Sequence, residues 1–329
     1  MLIVKMLSRI APFGVRHEIA KRYTPVDWIK SLRVKRLINS LEGDSFISDL
    51  ILEDKPGLVG RLGGTEARFI GEYLKLKRLE RLGVPLRVSS FLSPRWKKRK
   101  HEVFAQAGFY FESWKDVEKF CSEYLEALKA TDVLGAWGVA FTWPEVIGLN
   151  PDKTRVIPVG FTAPWVEPYS GTSVPWSQAL DGKRVLVVSG FSTSIESQHR
   201  VIKEVFPGAS FPKFSLSTVR APIVTGEKDS DGHTWFELLD RMKKEISTKD
   251  FDVALIAAGA FSYPLAAHAK EIGKIGIHCG GGLQLFFGVM GNRWNKSPEV
   301  LKYLNTSWVR PSSKERPKTA DQVENACYW

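Results

Sequence analysis

Residues 251–278 read FDVALIAAGAFSYPLAAHAKEIGKIGIH and contain the clearest structural pattern in the chain. An apolar run over 251–257 ends at a glycine turn, a run with helical spacing covers 264–272, and a second apolar run covers 274–278. Short buried runs on both sides of a helix are typical of neighbouring strands in a parallel sheet, since a crossover must return the chain to the same end. This stretch therefore predicts a strand, a helix and a parallel strand.

The same alternation extends toward the N-terminus. Residues 184–188, flanked by Gly182 and Gly190, form a run of the kind found in the middle of a parallel sheet. Other strands are predicted at 57–62 and 132–137, and helices at 65–74, 114–130, 194–206 and 235–246. Strands that alternate with helices predict an α/β fold with a mostly parallel sheet flanked by helices.

Composition divides the chain into three parts. Residues 1–50 are predicted to form a basic amphipathic helical segment, residues 51–300 the α/β domain, and residues 301–329 a tail packed on that domain. Within the domain, residues 143–178 are rich in Pro and Trp and are predicted to form a long loop. A loop of this length is expected to act as a binding platform or a mobile lid, or to pack on the core without a ligand.

The composition is that of a globular protein, with 329 residues, 43% of them hydrophobic and 25% charged. No apolar run approaches the ~20 residues of a membrane-spanning helix. Lys5 and Arg9 interrupt the apolar N-terminus, so no secretory signal is predicted and a cytoplasmic location is expected. Cys121, Cys279 and Cys327 lie far apart, which predicts reduced thiols and no structural zinc.

Positive charge is concentrated in two places. The formal net charge is +11, and residues 1–40 carry nine basic side chains against two acidic ones. A second cluster runs from Arg95 to Lys100. Both fit an anionic membrane surface, and both also fit solvated helices that need no partner. Nucleic acid is not an expected partner, because no helix-turn-helix or aromatic RNA-binding motif accompanies the charge.

Four turns that follow predicted strands are the candidate ligand site. They lie at 61–66, 189–198, 259–263 and 278–284. Ligands of open parallel sheets bind beyond the carboxyl ends of the strands, where glycine turns and helix N-termini present amides to anions. A nucleotide diphosphate suits such an environment. The residues predicted to bind it are Arg61, Gly63, Gly64, Thr65, Ser192, Ser194, Gly259, Ser262, Tyr263, Gly280 and Gly281.

Three common enzyme motifs are missing from the sequence. The dinucleotide fingerprint G-x-G-x-x-G does not follow a strand, and neither the P-loop pattern nor the nucleophile elbow G-x-S-x-G occurs. Glu66 and His278 are the candidate catalytic residues. Glu66 comes just after a predicted strand and two glycines, and His278 ends a predicted strand just before a glycine turn. Glu66 could instead pair with Arg61 or Arg68, His278 could be a core histidine, and Ser194 could be a helix cap.

The segment RLGGTE at 61–66 resembles the R-[FY]-G-D-G-E motif of GT-D-type glycosyltransferases. Residues 252–287 are similar to the C-terminal unit of that family, and the match extends with gaps from Gly57 to Phe287. The resemblance implies a Rossmann-like fold that binds a nucleotide-sugar and transfers the sugar to a glycan or lipid-linked acceptor in bacterial surface polysaccharide biosynthesis. The 143–178 loop would then be a candidate acceptor platform.

The family ties two carboxylates of its D-x-E motif to a divalent cation, Mn2+ or Mg2+. In this chain Gly64 stands at the aspartate position and only Glu66 matches, so Glu66 is the metal ligand that the resemblance implies. Asp132 or Glu196 could supply a second carboxylate, or Arg61 could neutralise the diphosphate instead. The incomplete motif also leaves open a non-catalytic subunit that binds nucleotide-sugar or glycan at a membrane assembly.

Overall fold

The computed structural model describes residues 42–85, 93–136, 153–167, 174–224, 232–317, 320–322 and 326–329. Residues 1–41 of the predicted basic segment, and residues 143–152 and 168–173 of the predicted loop, lie outside the described residues. The described part forms a seven-stranded sheet in which neighbouring strands pair in parallel. The strands are β1 (Gly57–Arg61), β2 (Val133–Ala136), β3 (Arg155–Pro158), β4 (Arg184–Ser189), β5 (Ser215–Arg220), β6 (Val253–Ala257) and β7 (Ile275–His278).

Helices flank the sheet on both faces, so the predicted Rossmann-like α/β fold is confirmed. The α-helices of the described residues are α1 (Gly43–Leu52), α2 (Gly64–Arg81), α3 (Pro94–Glu102), α4 (Trp114–Lys129), α5 (Ser192–Arg200), α6 (Ile202–Val205), α7 (Trp235–Ser247), α8 (Ser262–Glu271), α9 (Leu283–Phe286) and α10 (Pro298–Leu301). A single π-helical turn, Val103–Ala107, continues α3.

The strand order is β3-β2-β1-β7-β6-β4-β5. Strands β1, β2 and β3 lie side by side in chain order and form one half of the sheet. The chain then crosses to the other half, and its last strand, β7, pairs with the free side of β1. Val59 of β1 pairs with Val133 of β2 on one side and with Ile277 of β7 on the other. Reversals of this kind leave a crevice at the carboxyl ends of parallel strands.

The side chains of each strand alternate between two hydrophobic clusters. In β4, Leu186 and Val188 face the cluster formed mainly with α2, α4, α7 and α8, whereas Val185 and Val187 face the cluster formed with α1, α5, α9 and the tail. The period of two follows from the pleat of the strand. All four side chains are buried, because helices cover both faces.

The two ends of the described chain pack against this second face. Ile47 and Ile51 of α1 are fully buried, so α1, which spans the predicted boundary at residue 50, packs into the core of the α/β domain. In the tail, Trp308 and Trp329 are buried in the same cluster. None of the helices in the described ranges has the length and apolar character needed to cross a bilayer.

Candidate functional site

A cleft of 670 Å³ lies at the carboxyl edge of the sheet. The segments that follow β1, β4, β5, β6 and β7 all contribute to its walls, so the structure brings the four predicted turns together. The predicted site residues that line it are Arg61, Gly63, Gly64, Thr65, Glu66, Gly259, Ser262, His278, Gly280 and Gly281. The convergence arises because β1, β4, β6 and β7 run in one direction and end at one edge.

Ser192 and Ser194 do not line the cleft. Both are buried at the start of α5, and the tail residue Glu315 occupies this helix N-terminus. One carboxylate oxygen of Glu315 accepts hydrogen bonds from the Thr193 amide at 2.8 Å and from the Ser194 amide at 3.2 Å. An internal carboxylate therefore already satisfies the amides that the sequence offered to a ligand phosphate.

Tyr263 is also absent from the cleft lining. Its side chain is fully buried, its ring packs against Gly60 of β1, and its hydroxyl lies 2.7 Å from the Thr131 hydroxyl. Tyr263 therefore packs against one face of β1 inside the core. Its neighbour Ser262 lines the cleft, and the Ser262 hydroxyl accepts a hydrogen bond from the Ala258 amide.

Arg61 is the last residue of β1, and it lines the cleft. Its Nη1 donates to the Thr162 hydroxyl and to the Cys279 carbonyl, both at 3.3 Å. Gly280 permits this position, because a Cβ there would lie 2.8 Å from Cζ of Arg61 and the backbone φ of +63° favours glycine. Burial lowers the pKa of Arg61, yet an arginine keeps its charge in proteins.

Glu66 lies in the first turn of α2, half-buried in the cleft wall. Its carboxylate folds back over Gly63, where a Cβ would lie 2.1 Å from Oε2, so only glycine leaves room for this arrangement. Burial raises the pKa of Glu66, although its own backbone amide and the Arg61 and Arg68 cations act in the opposite direction. A cleft carboxylate with a raised pKa is suited to proton transfer.

His278 ends β7 and lines the cleft, but it is only 8% exposed. Its buried Nδ1 has no hydrogen-bond partner among the described residues. Burial lowers the pKa of His278 well below its usual range, and the nearby Arg61 cation acts in the same direction. The imidazole is therefore neutral near pH 7.

The tail and the loop after β7 supply part of the cleft that the sequence did not assign to it. Arg293, Tyr328 and Trp329 line it together with Gln106 from the π-helical turn. The guanidinium of Arg293 lies 4.6 Å from the centre of the Tyr328 ring and donates to its hydroxyl at 3.1 Å. No local pattern around Arg293 indicates this role, since the contact joins segments distant in sequence.

The lining is cationic. Arg61, Arg68 and Arg293 contribute to it, and Glu66 is the one acidic lining residue among those that the structure describes. This excess of positive charge favours an anionic ligand, because one guanidinium group can donate two parallel hydrogen bonds to the oxygens of a phosphate.

The donor set does not fit a hard divalent cation. Among the described residues, no group of three or more His, Cys, Asp or Glu side chains is placed to hold a metal ion. Asp132 precedes β2, at the end of the sheet opposite the cleft, and Nζ of Lys270 lies 2.7 Å from its carboxylate. The Glu196 carboxylate accepts a hydrogen bond from the Thr218 hydroxyl. Neither completes a site with Glu66, which stands beside two arginines instead.

Comparison of the chain with protein-family models, with curated proteins and with solved structures gives no match. The functional assignment therefore depends on the cleft: a concave, cationic site at the carboxyl edge of a parallel sheet, with one carboxylate of raised pKa. Backbone amides at a helix N-terminus attract anions, and a cleft carboxylate with a raised pKa is a candidate acid or base.

Proposed function

We propose that the chain is a glycosyltransferase that moves a sugar from a nucleotide-sugar donor to a glycan or lipid-linked acceptor in bacterial surface polysaccharide biosynthesis. The observation that carries this proposal is that the glycine turns after β1, β6 and β7 meet in one cleft, which Glu66 and three arginines line. The resemblance of residues 61–66 to the GT-D motif supports the same reaction class.

The donor diphosphate would lie across the turns after β1 and β7. Arg61, Arg68 and Arg293 line the cleft and would neutralise its charge, which grows on the leaving group as the glycosidic bond breaks. Because the cations are provided by side chains, this arrangement stabilises the departing diphosphate without a metal ligand set.

Glu66 is the proposed base for the acceptor hydroxyl. Its raised pKa makes the carboxylate a stronger proton acceptor than an ordinary glutamate, and the nearby arginines stabilise the charged form that must be present before transfer. His278, which is neutral and lines the cleft while being nearly buried, is a second candidate for the same proton.

The partner surface at the α3 cluster is a separate part of the proposal. Arg95, Lys97, Lys98 and Lys100 are exposed, and both Lys98 and Arg99 form ion pairs with Glu102. An exposed basic cluster of this kind suits an anionic membrane and would hold the protein at the inner face, close to a lipid-linked acceptor. Retention on anionic liposomes at moderate salt, without retention on duplex DNA, is the expected result, and the reverse pattern would contradict it.

Calorimetric titration with UDP- and GDP-sugars tests the donor site directly. Wild type and a Glu66→Gln variant are both expected to bind one of these donors, because Glu66 does not contribute to cation–phosphate contacts. An Arg293→Ala variant is expected to bind the donor more weakly. The absence of nucleotide binding by wild type and Glu66→Gln would remove the premise.

A non-catalytic nucleotide-sugar or glycan-binding subunit is the second candidate. The single carboxylate in the described cleft lining favours it, because the D-x-E motif of the resembling family supplies two carboxylates to a divalent cation and this cleft offers only one. Incubation with sugar nucleotide and a lipid-linked acceptor separates the two functions: transfer product supports the enzyme, and binding without product supports the subunit.

A further inference from the structure

A second cavity, of 230 Å³, lies on the far side of the turn that follows β7. We call it the tryptophan pocket, since three indole rings line it: Trp165, Trp176 and Trp294. Three carboxylate residues also line it, namely Asp44, Glu167 and Glu299. The volume is below the ~300 Å³ at which pockets for drug-sized ligands begin, so it suits a ligand of about one ring.

Specific contacts position two of the three indole rings, those of Trp176 and Trp165. Trp176 is buried, and its Nε1 donates a hydrogen bond to the Phe161 carbonyl at 2.7 Å, which fixes the ring. Trp165 is only partly buried, and Tyr303 packs edge-on against its ring at a centroid distance of 5.4 Å. Trp294 is also partly buried. Partly exposed indole faces offer an electron-rich surface to the C–H face of a sugar ring.

Two of these carboxylates, on Glu167 and Glu299, are exposed and are held by neighbouring side chains. Lys302 donates to Glu167 at 2.7 Å and the Ser297 hydroxyl donates to Glu299 at 2.8 Å. The hydrogen bond from Lys302 lowers the pKa of Glu167, whereas for Glu299 its own backbone hydrogen bond is the main cause of a lowered pKa and the Ser297 hydroxyl adds to it. Each carboxylate offers about four acceptor positions, so further bonds from ligand hydroxyls can form.

The tryptophan pocket and the cleft share one wall. Gly281 lines the cleft with Tyr328 closely against it, whereas the next residue, Gly282, lines the pocket with Ala163 closely against it. Arg293 and Trp294 are divided between the two cavities in the same way. The two cavities therefore lie next to each other on either side of the turn that follows β7.

We infer that the tryptophan pocket binds one sugar ring of the acceptor. This inference rests on the proposed function, since it treats the cleft as the donor site. Rigid aromatic faces, anchored acceptors and a shared wall with the cleft are the observations that carry it. The described part of the 143–178 segment, which contributes Trp165 and Trp176, then acts as the acceptor platform.

The test uses the full chain labelled with 15N-tryptophan, whose eleven indole N–H signals are assigned by single Trp→Phe replacements. Methyl glycosides of glucose, galactose, mannose and N-acetylglucosamine are titrated, and tetramethylammonium chloride serves as a cationic competitor for an aromatic site. We expect at least one glycoside to shift the signals of Trp165 and Trp294. Trp294→Ala and Glu299→Gln should each weaken binding by about threefold to tenfold.

Trp114→Ala is the matched control, because Trp114 is similarly half-buried but stacks on Trp96 in the other hydrophobic cluster. It should leave glycoside binding unchanged. Shifts caused by tetramethylammonium alone, or no shift at Trp165 and Trp294 with any glycoside, would overturn the inference.

A parallel titration with UDP and GDP separates this inference from the proposed function. Nucleotide binding without glycoside shifts would overturn the acceptor pocket alone. Glycoside shifts without nucleotide binding would overturn the donor site and leave a saccharide pocket without a role in transfer.

Discussion

The Glu315 carboxylate lies on the N-terminus of α5 and accepts hydrogen bonds from both the amide and the hydroxyl of Ser194. The Ser194 hydroxyl in turn accepts a hydrogen bond from the Ser312 amide at 3.0 Å. These hydrogen bonds fasten the tail to the helix after β4, and the Glu315 backbone carbonyl separately accepts a hydrogen bond from the Trp329 indole at 3.0 Å. The tail side of the cleft therefore depends on Glu315.

Replacing this carboxylate should loosen the tail. Glu315 is 2% exposed and satisfies several donors, so Glu315→Ala leaves buried amides without a partner and should lower the free energy of unfolding by about 1–3 kcal/mol. Urea unfolding measures the change. Glu126→Ala, which removes an exposed partner of Lys129, is the control and should change stability by less than about 0.5 kcal/mol. Equal losses for both variants would contradict the proposed anchoring.

Glu66→Gln should separate transfer from binding. The amide keeps the shape of the side chain but cannot take a proton, so the transfer rate is expected to fall by about 10²–10⁴-fold while donor affinity stays within about threefold. Transfer kinetics and calorimetry measure the two quantities. Glu80→Gln, on the same helix and paired with Lys77, should leave both unchanged. A variant that loses donor binding in proportion to its rate would assign Glu66 to binding instead.

The stability of the same variant should depend on pH in a defined direction. Because burial raises the pKa of Glu66, the folded state holds the proton more tightly than the unfolded state. Wild type therefore loses stability as pH rises from about 4 through the raised pKa, whereas Gln carries no charge at any pH. The free energy of unfolding of Glu66→Gln, relative to wild type, should increase over this interval and then level off. A difference that does not change with pH would contradict the raised pKa.

Gly280 and Gly273 provide a matched pair for the position of Arg61. Both have positive φ, +63° and +82°, so an alanine at either should cost about 1 kcal/mol of stability. A Cβ at Gly280 also meets Arg61, whereas a Cβ at Gly273 meets nothing within 4 Å. UDP binding should therefore weaken in Gly280→Ala and stay unchanged in Gly273→Ala, as calorimetry can show. Equal binding by the two variants would remove Arg61 from the donor site.

The central strands and their helices were predictable because they are buried on both faces and carry continuous apolar runs. The predicted strand 184–188 is β4, Arg184–Ser189, and the predicted helix 114–130 is α4, Trp114–Lys129. The edge strands β3 and β5 were not predicted. Ser215–Arg220 alternates with Ser and Thr and only Val219 is buried, because an edge strand has a neighbour on one side alone.

The candidate site was predictable only where it follows a strand directly. Glycine turns after β1, β6 and β7 are local patterns, so their meeting at one edge follows from the parallel sheet. Asp132 could not be placed in this way, because its position at the start of β2 puts it at the other end of the sheet, beside Lys270. The Glu315 cap joins residues 122 positions apart, and the contact between Arg293 and Tyr328 joins residues 35 positions apart, so no local pattern predicts either.

By itself, the sequence determined the α/β class, the parallel order of β6 and β7, and the glycine turns at the carboxyl edge, since apolar periodicity and turn residues act over a few neighbouring positions. Tertiary structure decided which side chains face the cleft, which helix N-terminus is already capped, and that three tryptophans surround a second pocket beside it. Those features depend on packing between distant segments, where burial and distance set the charge and the hydrogen bonding of each group.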